Sequence, residues 1–335
     1  MSSQLLTSPV SHAAPAPPRL EVGIYRFHLR FAEPLTLPPF WGSTIRGLLG
    51  HALRQVHCVT GKPSCLDCPV KTACNYHWLF DTPELQENLL DVANGAPRPF
   101  VLNVPPPADK RHFRAGEALQ LGFTLFGRAV SYLPAIIPAL NQMGHLGLGN
   151  HRSRFDLSRV ERIWMPASNL YQPIPINGVP AQKARPINVP AAPPSVRVEL
   201  LTPMRLRHKG SAIGPAHFNT RLLFANILRR NSLLSWYFSG RKHQADFRHL
   251  LALSEEMEMR HAKLRMYRWQ RYSGRQHRML QMNGLIGSFE LHGAALKTLW
   301  PYLYLGLWTH AGKGTSLGLG RYRLLPATHL PGGEM

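Results

Sequence analysis

The chain has 335 residues, 44% of them hydrophobic, which suffices for two packed domains and excludes global disorder. Thirty-nine Lys and Arg against eighteen Asp and Glu give a formal charge of +21, a surplus suited to neutralising a polyanion, nucleic acid above all. An anionic membrane surface is the weaker competitor: no run of eighteen apolar residues and no lone basic amphipathic helix occurs.

Residues 1–19 read as a flexible Pro/Ala tail without the features of a secretion signal, so a cytoplasmic location is expected. VGIYRFHLRFAEPLTL at 22–37 is strand-like. The next segment is a readable helix: Ile45, Leu48, Leu49, Ala52, Leu53 and Val56 share one apolar face, with Ser43 as candidate N-cap. Its opposite face carries Arg46, Gly47, Gly50, His51 and Arg54, which suits either a phosphate chain or plain solvent.

All four cysteines then fall within seventeen residues, as C-x6-C-x2-C-x5-C: Cys58, Cys65, Cys68 and Cys74. In a reducing compartment this spacing predicts a small insertion (57–80) closed by a structural, tetrahedral zinc ion. An iron–sulfur cluster, or free or disulfide-linked thiols, are the alternatives.

HLGLGNHRSRF at 145–155 is echoed by SLGLGRYRL at 316–324: Gly147, Leu148 and Gly149 match Gly318, Leu319 and Gly320, with arginines just beyond. Each half opens on a strand and closes on such a turn, which predicts a duplicated domain. The Pro-rich stretch 165–195 is the expected linker between domains at 20–164 and 196–326, with 327–335 as a tail. In the second half, 195–207 reads as a strand, 218–238 and 246–273 as helical runs, and 285–293 as a strand. Between 260 and 279, Arg268, Arg271, Arg275 and other cations alternate with Tyr267, Trp269 and Tyr272, a pattern that can grip a backbone while stacking unpaired bases. In the closing GKGTSLGLGRYRL, Gly312, Gly314, Ser316, Gly318 and Gly320 can present backbone N–H groups to an anion that Lys313, Arg321 and Arg323 clamp.

Together these pieces resemble the RAMP superfamily of CRISPR-associated proteins. GKGTSLGLGRYRL is similar to the signature loop of its precursor-RNA-processing endoribonucleases. RYSGRQHRMLQMNGLIGSFELHG followed by YLYLGLWTHAGKG is similar to their C-terminal domain, and FWGSTIRGLLGHALRQ to their first helix. The resemblance spans most of 21–325. It implies an α+β fold of two tandem ferredoxin-like (RRM-like) domains with antiparallel sheets, to which the four-cysteine insertion is added. It also implies metal-independent cleavage within CRISPR repeat RNA. A ribose 2′-OH attacks the adjacent phosphate, leaving a 2′,3′-cyclic phosphate, and the product stays bound. That chemistry needs a base, an acid and positive charge on the phosphorane. The resemblance points to His51 as base or acid, with His57 nearby. His310 comes second, His145 and His151 third, and Lys313 and Arg321 hold the phosphate. Arg46, Arg54, Arg152 and the hairpin and loop residues above complete the RNA-binding set. Expected partners are the repeat RNA and other CRISPR effector subunits. A non-catalytic subunit that only holds guide RNA is the alternative. A zinc-containing DNA-binding regulator is disfavoured by the lack of a helix-turn-helix pattern.

Overall fold

The computed structural model describes residues 17–62, 64–83, 96–107, 111–165, 170–208, 210–273 and 278–327. The first lobe runs β1 (Glu21–Phe31), α1 (Gly42–His57), α2 (Asn75–Phe80), β2 (Phe100–Asn103), β3 (Ala118–Phe126), α3 (Leu133–Leu146), β4 (Phe155–Met165) and β5 (Leu170–Ile174). Its strands lie in the order β2-β3-β1-β4-β5, and every neighbouring pair is antiparallel. The second lobe runs β6 (Ser195–Met204), α4 (Thr220–Ser239), α5 (Phe247–Glu255), β7 (Glu258–Ser273), β8 (Arg278–His292), α6 (Leu296–Thr309) and β9 (Tyr322–Pro326). Its antiparallel sheet has the order β7-β8-β6-β9. Leaving aside the extra α2, β5 and α5, both lobes repeat one β-α-β-β-α-β path with the same spatial order of strands. The expected duplication is present at the level of topology.

Period-two alternation makes β1 a strand with one buried face. Tyr25, Phe27, Leu29 and Phe31 point into the core, and Phe27 meets Phe123 edge-on with ring centroids 6.0 Å apart. α1 lays Ile45, Leu49, Ala52 and Leu53 into the same core, while Val56 stays exposed. The helix starts one residue before the expected Ser43 cap. Trp41 occupies the N-cap without a side-chain hydrogen bond, and Gly42 after it is pressed against the C-terminal turn: a Cβ there would stand 1.9 Å from the Leu317 carbonyl oxygen.

Two expectations are corrected. Residues 246–273 are not one helical run. α5 ends at Glu255, and Glu258–Ser273 is a strand paired with β8 from Glu258↔His292 to Ser273↔Arg278. After a register shift at Arg260/Lys263, Leu264 and Met266 pack from one face against the second lobe's core, and Tyr267 and Trp269 from the other face against the first lobe's. That period-two pattern, rich in β-favouring aromatics, outweighs the helical propensity of the Met, Arg and Lys around it. Nor is 165–195 only a connector: β5 extends the first sheet at β4, and Arg185 pairs with Val22 beside β1.

The first lobe's core continues into the second lobe. Leu233, Leu234, Tyr237 and Phe238 of α4 belong to it, and Trp78 meets Phe238 while Phe40 meets Trp269. Glycines at this seam differ sharply in what they tolerate. Gly320 has φ +72°, and an added Cβ would lie 1.6 Å from the Ala311 carbonyl oxygen. Gly47, mid-α1 and exposed, has open space around it. We expect Gly320→Ala to cost on the order of 3 kcal/mol or more and Gly47→Ala to stabilise by about 0.5–1 kcal/mol, measured by denaturant unfolding.

Candidate nucleic-acid interface

The C-terminal turn is built as a clasp. Gly312, Gly314, Gly318 and Gly320 all have positive φ, between 72° and 90°, a region that disfavours side chains. Most of its amides are already engaged. Gly312 N–H donates to Asn226 Oδ1 (2.6 Å), Lys313 N–H to the Arg205 carbonyl (2.8 Å), and Gly320 N–H to that of Pro203 (3.1 Å). Thr202 Oγ1–H donates to the Gly318 carbonyl (2.7 Å) and accepts from Arg321 N–H (2.9 Å). Gly318 abuts Val104 and Leu102 of the first lobe. Gly318 and Gly320 are buried, so these two glycines serve packing and do not face a ligand.

The same seam corrects three side-chain expectations. His310 is fully buried: Nδ1–H donates to the Leu319 carbonyl (3.2 Å) and Nε2 lies 3.0 Å from the Asn103 side-chain amide. It ties the lobes together and has no access to a substrate proton, so it is withdrawn as a catalytic candidate. Arg321 donates to the Val104 carbonyl (3.1 Å), another tie across the seam, and Arg323 pairs with Glu199 (2.8 Å). Neither guanidinium points into the cavity that Lys313 lines.

That cavity, about 580 Å³, opens where the lobes meet. Arg98, Arg205, Arg207, Arg229, Arg230 and Lys313 surround it with Gly312–Ser316, and none of the described lining residues is Asp or Glu. The crowding shows in the acidities. Burial first, then Arg207, Arg205 and Arg229, hold the Lys313 ammonium below its ordinary pKa. Arg205 is lowered by burial and by Arg207 and Arg271, and Arg46 by burial and chiefly by Arg98. Burial pushes Arg230 down to about 9. Arg46 Nε, Arg271 Nε and Arg230 Nη2 are sealed from solvent without a hydrogen-bond partner. Buried donors of this kind are costly to leave unmade, and of the three residues only Arg230 lines the cavity.

His51 lies elsewhere. It is exposed on α1 beside a second cavity formed with Thr44, Leu48, the Gly147–Gly149 turn and Arg152. Its Nε2 lies 3.4 Å from the Gln55 amide nitrogen, and Gln55 Oε1 accepts from Gln142 (3.0 Å). The three expected catalytic residues are therefore not brought together: His51 and Lys313 line different cavities and His310 is sealed. His57 Nε2 donates to the Ala135 carbonyl (2.8 Å), while His145 and His151 are exposed near the first-lobe turn.

Among the predicted arginines, Arg46 packs over the Phe80 ring at 5.0 Å, close enough to Arg98 and Arg271 to feel their charge, and Arg268 is exposed on β7. Arg54 is turned away, donating to the Lys62 carbonyl in the cysteine loop, so it leaves the RNA-binding set. Arg275 lies outside the described residues. Arg98, Arg205, Arg207, Arg229 and Arg230 were not anticipated. The Arg229–Arg230 pair, set into an otherwise apolar helix pattern, is the signal that could have found two of them.

His310 gives a pH prediction. Burial, then Arg321 and Arg230, hold its pKa well below the ordinary 6.5. The unfolded chain therefore binds a proton that the native one refuses, and stability is fully present above pH 6.5 and falls as pH drops below it toward the native value. His310→Gln is expected to lower stability at pH 8 and to remove this part of the slope, read from denaturant midpoints between pH 8 and 5.

Residues 198–322 match the family described as CRISPR-associated endoribonuclease Cas6, and residues 20–186 match the N-terminal domain family AF_1859_N. An uncharacterized protein of Archaeoglobus fulgidus is 35% identical over 121 residues, 36% of this chain; the match spans 39% of that relative's length. Among solved structures, a Cas6 product complex shares 17% identity at TM-score 0.54 and covers 91% of this chain and 99% of that one. Thermus thermophilus Cas6 shares 16% at TM-score 0.51 over the same shares. A partial Cas6-RT-Cas1–Cas2 complex shares 14% at TM-score 0.56, covering 95% of this chain and 48% of that one. These likenesses concern the fold.

Proposed function

From a chain that carries a CRISPR-associated endoribonuclease Cas6 domain, as a RAMP-type protein of CRISPR RNA processing, we propose that the protein cuts CRISPR precursor RNA within its repeat and retains the product. Its two β-α-β-β-α-β lobes read as tandem ferredoxin-like domains. The observation that carries the proposal is the cation cluster at the lobe seam, where Arg98, Arg205, Arg207, Arg229 and Lys313 line one cavity with no carboxylate among its described residues. Phosphate oxygens pair with these cations, and the exposed Arg268 on β7 extends the positive surface. For the chemistry, His51 is the candidate to take the 2′-OH proton or to protonate the leaving 5′-oxygen, and Arg152 beside it supplies charge for the phosphorane. No step of this scheme asks for a metal ion. CRISPR effector subunits are the further partners this reading implies.

A second reading, a guide-RNA-holding subunit without cleavage, is favoured by one observation: His51 and Lys313 line separate cavities. One assay separates the two. With repeat RNA and excess chelator, we expect fragments ending in a 2′,3′-cyclic phosphate. Cleavage that needs a divalent ion would overturn the mechanism, and tight binding of uncut RNA would establish the second reading.

His51→Ala should slow cleavage by about 10²–10⁴ without weakening binding. If it cuts at the wild-type rate, His51 is not the proton-transfer group. Arg207→Ala with Lys313→Ala should weaken binding and reduce the slope of log K against log salt by about 2.

A further inference from the structure

We infer that Cys58, Cys65, Cys68 and Cys74 form a structural zinc tetrathiolate that the RNA chemistry does not use. All four thiols are free and line one cavity between the C-terminal end of α1 and α2. The loop between them has an inverted burial pattern. Among the described residues from 58 to 74, only the four cysteines and Thr60 are withdrawn from full exposure, whereas Val59 and Leu66 are 84% and 79% exposed. A seventeen-residue segment that turns its apolar side chains outward and its thiols inward has no hydrophobic reason to hold its shape.

The backbone already makes the tight turns such a site needs. Cys68 N–H reaches the Cys65 carbonyl (3.5 Å), Lys71 N–H that of Cys68 (3.2 Å) and Cys74 N–H that of Lys71 (3.3 Å). Thr60 Oγ1 lies 3.8 Å from Cys58 Sγ and 3.7 Å from Cys68 Sγ, which brings those two thiols around one hydroxyl.

The electrostatics agree. Zinc with four thiolates carries a net charge of about −2. Arg54, Lys62 and Lys71 line this cavity, and no Asp or Glu does among the described residues. Arg54, lost to the RNA-binding set, thereby gains a role: it spans from α1 to the Lys62 carbonyl in the loop. Among the described residues no group of three such donors stands at ligating separation, so the loop must tighten around the ion, as expected of a site that orders on binding.

The site is tested independently of RNA cleavage. Protein purified under reducing conditions should contain about one zinc per chain by elemental analysis. Cobalt added to the metal-stripped protein should give the ligand-field and charge-transfer bands of a tetrahedral four-thiolate site, bleached by zinc. Chelator should raise amide exchange across 58–74 while β1 and β3 stay protected. Cys68→Ala should lose the metal, and Leu66→Ser should keep it. Absence of zinc together with no cobalt bands in the reduced wild-type protein would overturn the site. So would two disulfides by thiol counting. Stoichiometric iron and sulfide would overturn the choice of zinc.

Discussion

The structure depends on the insertion of the C-terminal turn between the lobes. Gly318 and Gly320 can occupy their places only without side chains, and Gly42 must lack one for α1 to approach from the other side. Thr202 fastens the turn within its own lobe, and His310 and Arg321 stitch it to Asn103 and Val104. Because the turn is pinned on both flanks, the cations of α4 and the 205–207 stretch are carried to within reach of those on α1 and β7. Without the clasp, Lys313 and Arg46 would belong to two separate surfaces.

Holding so many like charges together works against folding, since each guanidinium at the seam raises the electrostatic energy of its neighbours. Arg230, buried and without a carboxylate, shows how far this goes. Large apolar contacts across the same seam oppose the repulsion: Trp78 with Phe238, Phe40 with Trp269, and the Leu233–Leu234 pair in the shared core. The arrangement is that of a surface whose electrostatics favour a bound polyanion over the free state.

Much of the fold was readable in one dimension. The strand alternation of β1, the apolar stripe of α1 and the repeated Gly-Leu-Gly turns each carry a local period or motif that survives into three dimensions. β7 was misread because its aromatic alternation is embedded in residues that also favour helices, and only pairing with β8 decides between them. The site was harder. Whether a histidine is a proton carrier or a buried tie depends on what the other lobe places beside it, and His310 meets Asn103 across 207 positions of sequence. Arg98, Arg205 and Arg207 were missed for the same reason: a cluster assembled from separate chain segments has no linear spacing, and only the Arg229–Arg230 pair is local. The cysteines were legible because their ligand spacing is local.

The long β7–β8 pair has a mechanical consequence. Beyond Leu285, where β8 leaves β6, the two strands continue alone as a ribbon toward residues 273 and 278. Its midpoint is braced by Trp269 against Phe40 of the opposite lobe. A ribbon rooted in one body and propped on another behaves as a strut. It fixes the spacing of the two lobes at the Phe40–Trp269 contact, and it makes that spacing a property of the protein's own stiffness.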